Sequence, residues 1–398
     1  MLPDDEERRL AEPLERFADL HAAVLRGSRP GLIDLSYPNP LVQRDRRGFE
    51  LLQAVLAGTS QADLQYTPFG GGTLARRRVA ASLSRRLGLP FGFRDILLTP
   101  GATAALNVVL TALFRPGDEV VVPTPCWMDY FLYLRRLGLR PVAAPCGADK
   151  RLDVATLARA VGPRTVAVII TQPVCPTGVL HTARELAALA VVLRDSAARY
   201  GKPIVVISDE VHRDQVWSAD EFISPMEVYA DSISLYSFGK AWSMQGQRTG
   251  YIAFGPALRG RAEALLRSER ALRSTGFCAP TALMQRLVTE LADLSPDYEA
   301  LRQDQLVLRE TLTRLGYDAV PGQATAFVYV RCPDGFDDWT FVERLARGGL
   351  LAMPSSLFHE PGYFRLALNV GPDRLDEVGH RLGAALEQAD GETAGSAR

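Results

Sequence analysis

The chain has 398 residues, 47% of them hydrophobic, and a formal net charge of -1, which suits a globular protein with one large and one smaller domain and leaves no basic footprint for nucleic acid. Its five cysteines, Cys126, Cys146, Cys175, Cys278 and Cys332, form no Cys-x-x-Cys pair, which speaks against zinc or dithiol redox chemistry and for a reducing, cytoplasmic compartment. The acidic start, Met1 to Arg9, has no apolar run behind it, so neither a signal peptide nor a membrane anchor is expected.

In chain order, Leu10, Leu14, Phe17, Leu20 and Val24 recur at helical spacing and predict an amphipathic helix over residues 5–26. Ile33 to Pro40 is a proline-broken extended segment of the kind that enters a site. Tyr66 to Gly72 is a turn-rich loop, and an arginine-rich helix follows from Leu74 to Leu87, whose Arg76-Arg77-Arg78 reads as a solvated face. Apolar runs then alternate with helical patterns, the signature of a mainly parallel sheet covered by helices. Strand 96–98 turns through Gly101-Ala102-Thr103 into a helix over 104–114. A helix beginning on small residues presents free N–H groups and a positive dipole end, which fits a phosphate.

Strand 120–122 runs into Trp127, which is either core or a flat platform at a pocket mouth. Strand 165–170 delivers Thr171 to Gly178. Strand 203–207 ends at Asp209, a carboxylate costly to bury without a cation, and a protonated pyridine nitrogen would serve. A metal held by Asp209, Glu210 and His212 is disfavoured, because an extended segment alternates its side chains and no fourth ligand is spaced for it. Lys240, one of only three lysines in the chain, ends an apolar strand with Ser237 before it and Arg248 after it. It offers an amine for an imine, and its neighbours two groups for a phosphate. After strand 251–254, helices over 257–273 and on to about Leu315 lead to a second domain with strands at 327–330 and 364–368. Arg365 lies inside the last of these, where an arginine needs an anion, structural or bound.

The pattern Ser237-x-x-Lys240 followed by Arg248-x-Gly250-Tyr251 resembles the lysine segment of the class I/II aminotransferases, fold-type I enzymes that use pyridoxal 5'-phosphate (PLP). Six further segments resemble that family in the same chain order. The resemblance implies that Lys240 carries the cofactor as an internal aldimine, that Ser237, Arg248 and Gly101-Ala102-Thr103 bind its phosphate, and that Trp127 stacks on its ring. It gives Asp209 the pyridine nitrogen and Arg365 the substrate's α-carboxylate, and it makes Tyr66 reach across a homodimer interface to the neighbour's phosphate. Tyr37 and Pro38 fall in the substrate loop, with Pro38 where the family often has glycine. The family's Asn-Pro-x-Asn-Pro-Thr-Gly reads Gln172-Pro173-Val174-Cys175-Pro176-Thr177-Gly178 here, and its Asp-Glu-x-Tyr reads Asp209-Glu210-Val211-His212. Cys175 thus replaces a donor to the cofactor's O3', and a thiol is a weaker donor. His212 either reaches O3' or is a spectator.

The implied architecture is α/β: a large domain (49–280) with a mainly parallel seven-stranded sheet between helices, a smaller α+β domain (281–390) joined by an N-terminal arm (1–48), and a flexible tail (391–398). The implied function is a PLP-dependent enzyme acting on an amino acid, foremost an aminotransferase passing through a quinonoid. The rival is a β- or γ-eliminating, replacing or carbon-carbon bond-forming enzyme on the same fold. A non-catalytic PLP-binding regulator would need a DNA-binding module, for which the first 30 residues are too few and not basic.

Overall fold

The computed structural model describes residues 5–27, 31–40, 45–217 and 222–395. The chain opens with helix α1 (Asp5–Arg26), strand β1 (Ile33–Asp34), α2 (Arg47–Ala57) and α3 (Thr73–Leu87). It then alternates through β2 (Ile96–Thr99), α4 (Ala102–Leu113), β3 (Glu119–Thr124), α5 (Tyr130–Arg136), β4 (Arg140–Pro145), α6 (Val154–Ala160), β5 (Thr165–Thr171), α7 (Ala183–Tyr200) and β6 (Val205–Asp209). β7 (Ser232–Ser237), the single turn α8 (Phe238–Ala241) and β8 (Gly250–Phe254) complete the sheet. Helices α9 (Arg261–Ser274), α10 (Ala282–Leu291) and α11 (Glu299–Arg314) lead to β9 (Phe327–Arg331), α12 (Asp338–Arg347), β10 (Leu350–Leu351), β11 (Met353–Pro354), β12 (Tyr363–Ala367) and α13 (Leu375–Gly395).

The large sheet has the order β2-β8-β7-β6-β5-β3-β4, with only β8 antiparallel to its neighbours. The expected mainly parallel seven-stranded sheet is therefore present. Its central strands are buried on both faces, which is why they read as unbroken Val/Ile runs. One face packs on α4 and α9 through residues such as Val108, Val109 and Leu272, and the other on α6 and α7 through Leu157, Leu189 and Leu193. α7 starts at a capping box, where Thr182 accepts from the Glu185 N–H and Glu185 accepts from the Thr182 N–H, and it ends at the left-handed Gly201.

The smaller α+β unit is built on the antiparallel sheet β11-β12-β9. Its core gathers Phe341, Phe364, Val328 and Leu312, and takes in Phe17 of α1 and Ile33 of β1. β1 pairs in parallel with β10, Ile33 opposite Leu350, so the N-terminal arm lies within this unit. α10 packs instead on the large domain: its face of Met284, Leu287, Val288 and Leu291 clusters with Val79, Leu83 and Ile96. We therefore propose the domain boundary at Tyr298, ahead of α11, in place of residue 280. α13 runs to Gly395, into the segment 391–398 expected to be a flexible tail, and 396–398 lie outside the described residues.

The small domain's 355–362 loop touches the large domain beside Trp127. The Cys126 N–H donates to the Phe358 carbonyl at 3.1 Å, His359 Nε2 meets the Met128 carbonyl at 3.2 Å, and Lys150 Nζ donates to Glu360 at 2.8 Å. No described helix is long and apolar enough to cross a membrane.

Gly250 shows how tightly the sheet fixes the lysine segment. A Cβ there would stand 2.2 Å from the Tyr236 carbonyl and 3.1 Å from Gly101, wedging β8 away from β7. Gly250→Ala is expected to destabilise the protein by about 1–3 kcal/mol, as overpacking does, measured by urea unfolding, with the loss largest in the segment from Ser237 to Arg248 by hydrogen exchange.

Candidate active site

Parallel strands bring their carboxyl ends to one edge of a sheet, and side chains just beyond those ends converge. Here β2 ends before Gly101, β3 before Trp127, β5 at Thr171, β6 at Asp209 and β7 three residues before Lys240. The result is a cavity of about 650 Å³. Its lining includes Ala102, Thr103, Ser237 and Arg248, beside the start of α4, the hydrogen-bonded cluster of Asp209, Tyr130 and Thr171, and Trp127, Lys240, Cys175, His212 and Phe327. Nine residues named from sequence for the cofactor or its chemistry thus line one chamber. Gly101 supports the start of α4 from outside the lining.

The start of α4 is built for an anion. The opening N–H groups of the twelve-residue α4 have no intrahelical partner and carry the positive end of its dipole. Gly101 adopts φ +83°, and a Cβ there would come within 2.9 Å of the Arg248 guanidinium. Glycine is what allows Arg248 to stand over the helix start.

At the tip of β6, burial is the main influence on Asp209 and raises its pKa, against which the Tyr130 hydroxyl works by donating to it at 2.5 Å. Tyr130 also lies 3.1 Å from the Thr171 hydroxyl, and the Val211 N–H donates to the other Asp209 oxygen at 3.3 Å. Tyr130 and Thr171 are functional neighbours that sequence reasoning passed over. The signal was present, since Tyr130 follows Trp127 by three residues, within one helical turn.

Burial also governs Lys240, whose amine falls to about 8; Cys175 and Asp209 oppose the drop, and Arg365 and Arg248 add to it. His212 is kept neutral by burial, with its pKa lowered to about 3. Gln215 Nε2 donates to the Lys240 carbonyl at 3.3 Å, so its oxygen is the acceptor that takes the His212 Nδ1–H at 2.8 Å. That network assigns the tautomer and leaves His212 Nε2 with a lone pair and no proton. Gln172, at the family's first asparagine, has both amide ends committed to the backbone of His181, at 2.9 and 3.0 Å. It closes the 172–181 loop.

Arg365 is fully buried behind this wall. Its guanidinium lies between the rings of Phe327 at 4.3 Å and Phe358 at 4.8 Å, Nη2 donates to the Ser36 carbonyl at 2.7 Å, and Nη1 meets the Cys175 sulfur at 3.8 Å. Nε has no hydrogen-bond partner, and no described carboxylate pairs with the group. Such a cation is prepared for an anion. Cys175 therefore faces Arg365, and burial raises its thiol pKa while Arg365 and Lys240 pull it down.

Three further named residues are not on this lining. Tyr37 packs its ring edge-on to Phe17 and His21, 5.6 and 5.2 Å between centroids, within electrostatic reach of Arg365. Pro38 lines a second cavity, which Lys240 also lines. Tyr66 is fully exposed and away from this chamber. Among the described residues no group of three or more His, Cys, Asp or Glu could hold a metal ion.

A mainly parallel sheet whose strand tips carry an anion seat, an aromatic plate, a carboxylate and a buried amine is the layout of a fold-type I enzyme. The sequence model of the class I and II aminotransferases matches residues 32–382, and the chain belongs to that family. It is 28% identical over 334 residues to a probable aspartate/prephenate aminotransferase of Thermus aquaticus, covering 82% of this chain and 85% of that one. It is 30% identical over 400 residues to a probable N-succinyldiaminopimelate aminotransferase of Mycobacterium tuberculosis, covering 94% and 96%. Among solved structures, the Thermus thermophilus aspartate aminotransferase superposes with a TM-score of 0.80 at 25% identity, covering 93% of this chain and 96% of that one. This protein is accordingly a transferase of the aminotransferase type acting on amino acids.

The Lys240 shift has a direct readout. In the cofactor-free protein, labelling by an amine-directed reagent should rise through a midpoint of about pH 8 at Lys240, because the reactive neutral amine forms above the pKa. Lys150, whose net shift is upward through Glu360 and Tyr363 despite burial, should lag behind it. Site-resolved mass spectrometry across pH 7–10 measures both.

Proposed function

We propose that this chain binds PLP in the 650 Å³ chamber and uses it to move an amino group from an amino acid to a keto acid. The observation that carries the reading is that the Lys240 amine shares one chamber with the start of α4, the Trp127 ring, the Asp209 carboxylate and Arg248, the last two close enough to act on it electrostatically. The residues present fit the cofactor: Ala102, Thr103, Ser237 and Arg248 for the phosphate, Trp127 for the ring face, Asp209 for the ring nitrogen and Lys240 for the aldehyde carbon. When bound, PLP supplies an aldehyde for the substrate's amine and an electron-accepting ring.

The protein's own groups do the rest. Lys240, with its amine pulled to about 8, is a base able to take the Cα proton near neutral pH and return it. Asp209, its charge stabilised by Tyr130, holds a proton on the ring nitrogen. Arg365, with an unpartnered Nε and a sulfur at 3.8 Å from Nη1, exchanges a poor acceptor for the substrate's α-carboxylate.

Tyr66, fully exposed with Leu64 and Leu74 beside it in sequence, supports a homodimer in which it reaches the phosphate of a second copy. The five cysteines stay free thiols, in keeping with a cytoplasmic enzyme. One observation favours the rival outcome. Cys175 is turned to Arg365 and His212 Nε2 is an acceptor, so of the family's two donors to O3' one is replaced by a weakly donating thiol and the other by a nitrogen with no proton to donate, and loss of one such bond is worth about 1.5–3 kcal/mol. That change could divert the reaction toward elimination, replacement or carbon-carbon bond formation.

Amino donors should convert the bound cofactor to pyridoxamine phosphate, identified by chromatography, and Lys240→Ala should abolish the conversion while retaining phosphate-dependent binding. If no donor forms it while an amino acid with a leaving group releases that group, the rival reading replaces this one. Borohydride should fix the cofactor on Lys240; an adduct on Lys150 or Lys202 would contradict the assignment. Mixing inactive Tyr66→Phe and Lys240→Ala subunits should restore part of the activity through one intact composite site per heterodimer, and no recovery after proven subunit exchange would remove the shared-site proposal.

A further inference from the structure

Lys150, one of three lysines in the chain, is only 4% exposed and lies outside the cofactor chamber. It sits in the loop between β4 and α6 at φ +63°. Few residues other than glycine, asparagine and aspartate adopt that left-handed backbone, because Cβ crowds a carbonyl oxygen there. His359, on the 355–362 loop of the small domain, is also at φ +63°, and it immediately precedes Glu360. Two costly turns thus deliver the two halves of one ion pair, and costly backbone held at a buried contact points to a task for that contact.

Lys150 Nζ donates to Glu360 Oε1 at 2.8 Å and stands 4.2 Å from the centre of the Tyr363 ring, whose face attracts an ammonium. Tyr329 donates its hydroxyl to the other Glu360 oxygen at 3.1 Å and stacks flat on Tyr363, with 4.9 Å between centroids and 6° between planes. Strand register makes these rings neighbours of Arg365. Directly opposed residues of an antiparallel pair share a face, as do residues two apart on one strand, and Tyr329 opposes Arg365 while Phe327 opposes Ala367. Tyr363, Tyr329, Arg365 and Phe327 therefore form one row on one face of the β9-β12 pair. Lys150 caps the row at Tyr363, and the His212 ring meets its other end, Phe327, edge-on at 5.2 Å. Glu360 also follows Phe358 by two residues, and Phe358 is the second ring on the Arg365 guanidinium.

We propose that Lys150 is a positioning residue for Arg365: reaching out of the β4–α6 loop, it grips Glu360 and Tyr363 and so sets where the row carrying Arg365 stands against the large sheet. This rests on the aminotransferase reading for the roles of Arg365 and Lys240. Asp209, Lys240 and Arg248 are placed by the pairing of β6, β7 and β8, to which Lys150 contributes nothing. Loss of the grip therefore falls on the substrate's carboxylate, a group held alike in the bound substrate and in the transition state. An ion pair kept for stability alone would behave differently, since neutral groups of similar size replace such a pair at little cost.

The test follows single-turnover conversion of the PLP-loaded protein to the pyridoxamine form, with the amino donor that the wild type uses fastest, and yields a half-saturating concentration and a limiting rate constant. In Lys150→Met the half-saturating concentration should rise at least about fivefold, and by a larger factor than the limiting rate constant falls. Lys150→Arg, which keeps a charge able to meet both a ring face and a carboxylate, should reverse part of the rise. Lys150→Met/Glu360→Gln removes both charges, so it should regain the melting temperature lost in Lys150→Met yet keep the raised concentration. Hydrogen exchange on the same PLP-loaded proteins should quicken at the Cys126 amide and over residues 355–365 in the single and double variants, and stay unchanged in β5 to β7. A smaller rise, a limiting rate constant that falls by the larger factor, a double variant back at the wild-type concentration, or unchanged exchange over 355–365 overturns the proposal and leaves the aminotransferase reading in place. Failure of every donor to convert the wild type overturns both.

Discussion

Ionisable groups at the tips of buried strands must be neutralised, paired or shifted, and this constraint organises the molecule. Asp209 is the last residue of β6, and Lys240 lies three residues past the end of the neighbouring β7. Burial pushes the first up and the second down, each toward its neutral form. Tyr130 and Val211 hold the carboxylate's charge in part. The amine is left ready to give up its proton near neutral pH, which is what a nucleophile and base at this point needs. The tips of β2, β3 and β5 add a helix start suited to an anion, a flat ring and a hydroxyl in contact with the carboxylate's partner.

The small domain solves the same problem for Arg365 with different means. Two phenyl rings flank the guanidinium and a backbone carbonyl and two sulfurs occupy its edge, so the charge is tolerated without an ion pair. Lysine could not do this, because a compact ammonium is more strongly hydrated and has no planar faces to stack. Phe358 packs on Arg365 and its carbonyl binds the N–H of Cys126, next to Trp127. Arg365 and Trp127 are thereby held in one register across the domain junction.

Most of this was legible in the sequence wherever a residue type was improbable in its setting. A rare lysine after an apolar strand, a carboxylate at a strand tip, an arginine inside a strand and a glycine before a helix each violate local expectation, and each lies at or beside the site. The elements that escaped notice obeyed local expectation. β4, with exposed residues at both ends, lacks the unbroken apolar run of its neighbours. Tyr130 reads as an ordinary helical aromatic until Asp209 is found beside it. α10 belongs to a helical stretch that sequence alone assigns to the small domain, and only its packing on α3 places it with the large one. Tyr37 sits in a proline-broken loop, where its ring packs edge-on to Phe17 and Arg365 is close enough to act on its hydroxyl.

The pairing of β1 with β10, and the bonds from Arg365 and Asn369 back to residues 34–37, also bear on how the protein is made. Residues 33–37 are made long before the partners they meet in β10, β12 and Asn369. The large sheet, whose strands all lie between residues 96 and 254, can close while synthesis continues. Until then α1 and β1 wait with Phe17 and Ile33 uncovered, exposed to chaperones and to aggregation, and the carboxylate anchor is the last part of the catalytic apparatus to be set in place.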